Sequence, residues 1–358
     1  MIEVWNNVLH EKEMGNFRKA VIERNIMEGP VLNAFEERLK KLLKVDYVVG
    51  TSSGSAALAL AFMGIGVRPG DEVIVPDLTF IATANAAHML GAEVVVAPVQ
   101  KGTTLIDEST VENYVTDKTK AIVTVDLNGR IACSRELKET YKQRGIYIVD
   151  DACQAFMSCA QDGKPAGTDA DIACFSFGIT KMVTTVMGGL VATNDQEIYE
   201  KMKIMKTQGM PSIFEGDIYK YPGFNFKLPD VLAAIGMGQL DRLDEKMEHM
   251  CDINAMYRSE LSGIQGISFL ERKKGEHPWM TDIICENKEK VRRILKDNEI
   301  SSRPLGEPLH KAHYLKSDGI YPTSDEMRQK MLYLPGGPDQ SIRNVEQVIH
   351  VLKSNDLM

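Results

Sequence analysis

The sequence predicts an α/β protein: a mostly parallel central sheet with helices on both faces, followed by a smaller C-terminal α/β domain. Short apolar runs rich in Val and Ile alternate with amphipathic stretches over the first two-thirds of the chain, the rhythm of βαβ units. These runs are of the continuous apolar kind expected of strands buried on both faces. With 358 residues, the chain is long enough for one large domain and a smaller one.

The elements follow in order. YVVG at 47–50 reads as a strand, and SAALALAFMGIG after it as a helix. EVIVP at 72–76 is a strand, followed by the helical IATANAAHMLG; EVVVAPV, KAIVTVD and IYIVDD are further buried-type strands. ELKETYKQRG is an amphipathic helix ending at Gly145. CFSFG at 174–178 and GLVATND at 189–195 are close enough to be neighbouring strands, one of them antiparallel. A long helical stretch, 229–262, then leads out of the large domain. The boundary is expected near Asp244, giving a large domain over 1–244 and a small one over 245–358.

Composition narrows the function. The formal net charge of −8 and the lack of any Lys/Arg run argue against nucleic acid and anionic membranes as partners. The six cysteines form no CxxC pair and no His completes a metal-ligand spacing, so no metal is expected and the thiols read as reduced. The N-terminal MIEVWNNVLHEKE lacks the basic start and apolar core of a signal peptide. The longest weakly polar run, 56–67, is too short to span a bilayer. A cytoplasmic location is expected.

Ligands of parallel sheets bind at the carboxyl ends of the strands, so the residues just after each strand are the candidates. At TSSGSAAL, 51–58, a strand ends, Gly54 permits a tight turn and a helix begins. Its free N–H groups, with the hydroxyls of Ser53 and Ser55, suit a phosphate, or simply cap the helix. Asp151, closing IYIVDD, is a carboxylate at the end of an apolar strand. It either caps the next helix or pairs with a cation such as a protonated pyridine nitrogen, with Gln154 one turn on. Lys181 stands between two apolar strand-like segments. Unless it is a solvated loop lysine, a dry setting makes its amine nucleophilic near neutral pH. Ser176 precedes it on the strand. Phe80, after EVIVP, either stacks on a flat cofactor or packs in the core. A phosphate cradle, a stacking ring, a carboxylate and a lysine at strand ends of one sheet are the parts pyridoxal phosphate requires.

The chain resembles the DegT/StrS-type sugar aminotransferases, pyridoxal-phosphate enzymes of the aspartate-aminotransferase fold (fold type I). The resemblance is carried from about residue 29 to 334 by GPVLNAFEERL, SSGSAALALA, GVRPGDEVIVPDLTFIATANA, KAIVTVDLNG, IVDDACQA, FSFGITK, GGLVATND, GFNFKLPDVLAAIGMGQLDRLDE, SRPLGEPLH and LYLP. It implies that Lys181 binds the cofactor covalently and shuttles the proton, and that Asp151 pairs with the pyridine nitrogen. Gln154 would bond near the phenolic oxygen, Phe80 would stack on the ring, and Gly54, Ser55 and Ser176 would hold the phosphate. Asn225, in GFNF, would reach the neighbouring subunit's phosphate, so a homodimer with shared active sites is implied. His310, in EPLH, and Lys227 would lie at the substrate, with Lys220 a further candidate cation. The implied reaction moves an amino group from an amino acid, glutamate by the family's habit, to a keto sugar, nucleotide-linked in most of the family. The alternatives are a keto cyclitol or keto sugar acid, or a cofactor-binding regulatory protein without turnover. Some family members are dehydratases with histidine at the lysine position; Lys181 argues against that chemistry.

The chain departs from the family pattern in places. DLNG replaces HLYG, so Asp126 and Asn128 stand for His and Tyr; Met187 replaces an acid before the paired glycines; NFK replaces NYR, with Lys227 for Arg. These changes are expected to fall near the substrate.

Overall fold

The computed structural model describes residues 1–211, 219–317 and 319–358. After helices α1 (Glu11–Ile22) and α2 (Pro30–Leu43), strand β1 (Tyr47–Thr51) leads into α3 (Gly54–Gly64). Then come β2 (Glu72–Pro76), α4 (Ala82–His88), β3 (Glu93–Ala97), the single turn α5 (Glu108–Val111), β4 (Thr119–Val125), α6 (Arg135–Lys142), β5 (Tyr147–Asp151), β6 (Ile172–Ser176) and β7 (Gly189–Thr193).

These strands form a seven-stranded sheet in the order β1-β7-β6-β5-β4-β2-β3. β2, β3, β4, β5 and β6 pair parallel, whereas β7 runs antiparallel to both its neighbours, β1 and β6. The antiparallel partner expected of CFSFG and GLVATND is therefore β7. It returns beside β6 after the short loop that carries Lys181. β4, β5 and β7 are buried nearly throughout, which is why they read as apolar runs rather than as alternations. α3 is apolar on all sides and buried along most of its length, as a helix packed against both sheet and other helices must be.

The remaining helices α7 (Gln196–Met205), α8 (Asp230–Asp241) and α9 (Leu243–Leu261) lead to a second sheet. The stretch read as one helix is broken at Arg242, which has φ −110° and ψ 14°. α8 packs on α1 and α2, whereas α9 packs on α12 (Ile342–Lys353). The second sheet has the order β10-β11-β9-β8, all antiparallel: β8 (Ile267–Ser268), β9 (Asp282–Cys285), β10 (Arg303–Pro304) and β11 (Met331–Tyr333). α10 (Lys288–Asp297), α11 (Pro322–Lys330) and α12 complete this layer. It has its own core, including Tyr257, Ile283, Leu332 and Val345. The N-terminal residues join it too, through bridges from Ile2 to Ile300 and Trp5 to Gly336.

A buried polar seam ties the two sheets together. Arg130, after β4, pairs with Asp282 of β9 at 2.7 Å, and both are almost fully enclosed. The Asn128 side chain donates to the Met280 carbonyl at 2.9 Å and accepts from the Met280 N–H at 2.7 Å, while Arg272 donates to the Asn128 carbonyl. Asn128 holds a left-handed backbone, φ 54°, which asparagine tolerates better than most residues.

Candidate active site

A cavity of about 350 Å³ lies at the carboxyl ends of the parallel strands. Gly54, Ser55, Phe80, Asp151, Gln154, Ser176 and Lys181 all line it. The topology accounts for this: β1, β2, β5 and β6 end on the same edge, and each candidate follows one of them.

Alternation along β5 separates its two acids. Asp151 faces the cavity. Its Oδ2 accepts from the Thr83 hydroxyl at 2.6 Å and its Oδ1 from the Cys153 N–H at 3.2 Å. Thr83 in turn accepts from Thr79 at 2.9 Å, since its own proton is committed to the carboxylate. Asp150 faces away. One of its oxygens accepts from Thr124 at 2.8 Å; the other is buried beside Asp126, and neither that oxygen nor Asp126 Oδ2 finds another donor. Burial pushes both carboxyls up, and the neighbouring charge of Asp150 lifts Asp126 further. Both carboxyls are therefore shifted toward the protonated form behind the wall.

Lys181 follows β6 in a partly exposed loop and is itself half-buried, with its Nζ 4.5 Å from the centroid of the Trp279 ring. Burial pushes its amine below the usual lysine value, opposed by Cys153 and Asp151 and helped by Arg303. Among the described residues it forms no ion pair. Trp279 is fixed by its indole N–H, which donates to the Thr180 carbonyl at 2.6 Å. The Met280 peptide beside it is held by Asn128.

The residues present fit pyridoxal phosphate. α3 begins at Gly54 with no acidic side chain in its first turn, and the Ser53 hydroxyl caps Ala56. The first N–H groups of such a helix have no partner within it and attract an anion. Gly54 is required by close approach: a Cβ there would lie 2.9 Å from the Ser176 Cβ and 3.1 Å from Cys153 Sγ. Gln154 Oε1 accepts from the Asn128 N–H at 3.0 Å, which leaves its amide donors for a ligand oxygen. Phe80 is 60% exposed and lies on the cavity wall, so it is not a core residue.

A second cavity, of about 330 Å³, adjoins the first and shares Thr79, Phe80, Gln154, Trp279 and Arg303 with it. Its remaining wall includes Leu127, Glu307, Lys311 and Tyr333.

The other sequence candidates are placed differently. His310 lines neither cavity. Its Nδ1 meets the buried Asp77 at 2.8 Å, its ring stacks on Tyr321 with centroids 4.8 Å apart, and its Nε2 lies 3.5 Å from Asp325. Asn225 is exposed and bridges Thr207; Lys227 bridges Thr51 at the end of β1; Lys220 lies 5.6 Å from the Tyr221 ring. None of the three lines the cavities of this chain. Asp126 and Asn128, expected near the substrate, are fully buried behind the wall, where they serve the acid pair and the Met280 clasp. Sequence reasoning missed Thr83, Trp279 and Arg303. Arg303 sits in the SRPLGEPLH motif, at the start of the two-residue strand β10, but nothing in its local pattern points to the cavity of Lys181, 122 residues earlier in the chain.

A family model described as DegT/DnrJ/EryC1/StrS aminotransferase matches residues 7–353. The chain belongs to that family. It is a pyridoxal-phosphate-dependent aminotransferase with the type I fold. Among curated relatives of this aminotransferase, the GDP-perosamine synthase of Escherichia coli O157:H7 is 31% identical over 331 residues, 91% of this chain and 90% of that one. Among solved structures, the aminotransferase TlmJ from Streptoalloteichus hindustanus superposes with a TM-score of 0.94 at 26% identity, covering 99% of this chain and 98% of that chain. The PMP-form of the putative sugar aminotransferase Spr1654 from Streptococcus pneumoniae gives 0.91 at 26% identity over 99% and 96%. Among the described residues no helix is long and apolar enough to cross a membrane.

Proposed function

We propose that this aminotransferase takes its amino group from L-glutamate and delivers it to a keto sugar carried on a nucleotide diphosphate, for amino-sugar biosynthesis in surface polysaccharide or secondary metabolism. The observation that carries the reading is a half-buried lysine with no ion pair, facing the same cavity as a hydrogen-bonded carboxylate, with a second cavity opening beside it. The likeness to a GDP-perosamine synthase supports a sugar acceptor.

In this reading Gly54, Ser55 and Ser176 hold the cofactor phosphate, and Asp151 holds the ring nitrogen in its charged form. Gln154 donates to the ring oxygen and Phe80 covers one face. Bound, pyridoxal phosphate supplies an aldehyde to accept the amino group and a ring that disperses negative charge. Lys181 Nζ, whose hold on its own proton is weakened by burial, takes the proton from the donor carbon and returns it on the cofactor side. Thr83 and Thr79 keep the Asp151 carboxylate aimed at the ring. The Trp279 ring closes the site against water above the amine.

The active unit is a homodimer. Asn225 lies outside the cavities of its own chain, and the exposed Phe80, Ile179 and Phe224 offer apolar surface for a second copy to cover. The same reading places Lys227, Lys220 and His310 toward the sugar substrate, the lysines from the partner's side. The boundary between the large and small domains falls near Asp244, in the first turn of α9, where packing passes from α1 and α2 to α12. The enzyme works in the cytoplasm, where its six free cysteines stay reduced.

Cofactor-loaded protein incubated with L-glutamate alone should shift its visible absorbance to that of the amine form. It should then aminate one of a panel of nucleotide-linked keto sugars, read by mass spectrometry. Turnover of free keto cyclitols or keto sugar acids, with none of nucleotide sugars, would overturn the acceptor. Mixing Lys181→Ala with Asn225→Ala subunits should restore activity through mixed dimers, which hold one intact site; no recovery would sink the shared site.

A further inference from the structure

The loop that carries Lys181 is held from outside. Among the described residues, the carbonyls of Ile179, Thr180, Lys181 and Met182 accept no backbone N–H. Each instead takes one hydrogen bond from a side chain rooted elsewhere in the chain. Trp5 Nε1 donates to Ile179 at 3.3 Å, Trp279 Nε1 to Thr180 at 2.6 Å, Asn7 Nδ2 to Lys181 at 2.8 Å and Lys246 Nζ to Met182 at 3.4 Å. Trp279 lies in the loop before β9 and Lys246 on α9. Trp5 and Asn7 belong to the N-terminal segment, which is tied to the second layer: Trp5 bridges Gly336, and the Asn6 N–H donates to the Gly336 carbonyl at 3.0 Å.

Lys246 is the hub of this arrangement. It is fully buried, and among the described residues it forms no ion pair. Its three N–H groups match three acceptors: the Met182 carbonyl, Asn7 Oδ1 at 3.2 Å and Gln239 Oε1. Gln239 is turned by the buried Glu13, which accepts from its Nε2 at 2.9 Å, so its oxygen is left for Lys246 and for the Thr184 N–H at 3.4 Å. Asn7 is turned the same way, its oxygen toward Lys246 and its nitrogen toward the Lys181 carbonyl. Burial pushes the Lys246 amine down to about 8, with Asp339 pulling the other way. An ammonium without a carboxylate beside it is costly to bury, so stabilising the fold does not account for Lys246. What its three bonds hold does. We propose that Asn7 and Lys246 are positioning residues for Lys181, pinning the carbonyls of Lys181 and Met182 so that the root of the lysine side chain stays fixed whether or not its amine is bonded to the cofactor. The proposal rests on the reading of Lys181 given above.

The test compares cofactor-loaded wild type, Asn7→Ala and Lys246→Met. Borohydride treatment and peptide mapping first locate the amine that holds the cofactor, which in wild type should be that of Lys181. The half-reaction is then followed by absorbance with L-glutamate, or with whichever of glutamine, aspartate and alanine wild type accepts. Its rate at saturating donor should fall by about 10- to 100-fold in both variants, the scale of a small misplacement of a reacting group, while the half-saturating donor concentration stays put. Amide hydrogen exchange over residues 178–184 should quicken in both variants, with and without cofactor, while β5 and β6 keep their protection. The melting temperature of Lys246→Met should equal or exceed that of wild type, because a lone buried charge is gone; a merely structural role predicts that stability and rate fall together. Unchanged rate and exchange in both variants overturn the proposal, as does a rate loss that tracks the melting temperature. If the cofactor of wild type is found on another lysine, the reading of Lys181 falls and the proposal with it. If it is found on Lys181 and the variants react like wild type, the proposal falls alone.

Discussion

The two adjoining cavities are built by different means. The inner one is a product of the parallel sheet: its phosphate cradle, carboxylate and lysine each follow a strand, and their positions are fixed by β1, β5 and β6. The outer one is assembled from the second layer, from the loops that carry Trp279 and Glu307 and from the short strands of Arg303 and Tyr333, set against Phe80 and Leu127 of the first. The difference teaches where chemistry and specificity are separable. The inner wall can be kept by any chain that keeps the strand ends, whereas the outer wall varies with loops that the sheet does not constrain.

Damage to the inner wall should therefore be severe and indifferent to which substrate is offered. The largest effect is expected from Lys181→Ala, which in the proposed mechanism removes both the covalent anchor and the proton carrier. Turnover should fall by at least about 10³-fold for every donor and acceptor, with loss of the absorbance band of lysine-bound cofactor. Normal turnover in that variant would sink the assignment. Asp151→Asn keeps the shape and the Thr83 contact but removes the charge facing the ring. A loss on the order of 10²–10³ in kcat is expected, the scale of one electrostatic partner in a dry site. An acceptor-dependent loss in either variant would break the separation between the two cavities.

The same contrast explains what the sequence disclosed. Asp151, Lys181 and the Gly54–Ser55 turn were legible because each ends or follows an apolar strand, and ligands gather at that edge. Asp151 was chosen for its place at the strand's end, but the role of its neighbour Asp150 was not legible, since facing depends on the register of β5 in the sheet; there Asp151 meets Thr83, and Asp150 meets Thr124 and lies beside Asp126. Trp279 and Arg303 were invisible as site residues because a loop and a two-residue strand have no period to read, and their partners lie far off in sequence. The break at Arg242 inside the long helical stretch left no Gly or Pro to mark it.

The seam between the cavities should respond through stability more than through chemistry. Asn128→Gly permits the left-handed backbone, keeps the N–H that holds Gln154, and loses the clasp on the Met280 peptide together with the side-chain contact to Asp282. Leaving that buried peptide unpaired costs about 1–3 kcal/mol. The melting temperature should drop by several degrees, and tryptophan fluorescence should report a looser Trp279. An unchanged melting temperature would mean that the layers are held by the other ties of the seam, among them Arg130 to Asp282 and Arg272 to the Asn128 carbonyl.

The smallest effect concerns the acid pair behind the inner wall. Asp126 and Asp150 both have carboxyl pKa values raised by burial, Asp150 to about 7. A carboxyl that holds its proton more tightly folded than unfolded stabilises the fold at low pH, and that contribution is lost as pH rises from near 4 through the raised value. Asp126→Asn keeps the acceptor for the Ala132 N–H and offers a permanent donor to Asp150. Its stability should fall less steeply than that of wild type between pH 5 and pH 8. The variant's melting temperature relative to wild type should therefore climb by about 1–3 °C over that range, following the usual scaling of melting temperature with free energy. Because Asp150 and Asp151 are consecutive on β5, a parallel change in the pH profile of the half-reaction would show that the pair also acts on the carboxylate facing the ring. A flat profile would confine it to the fold.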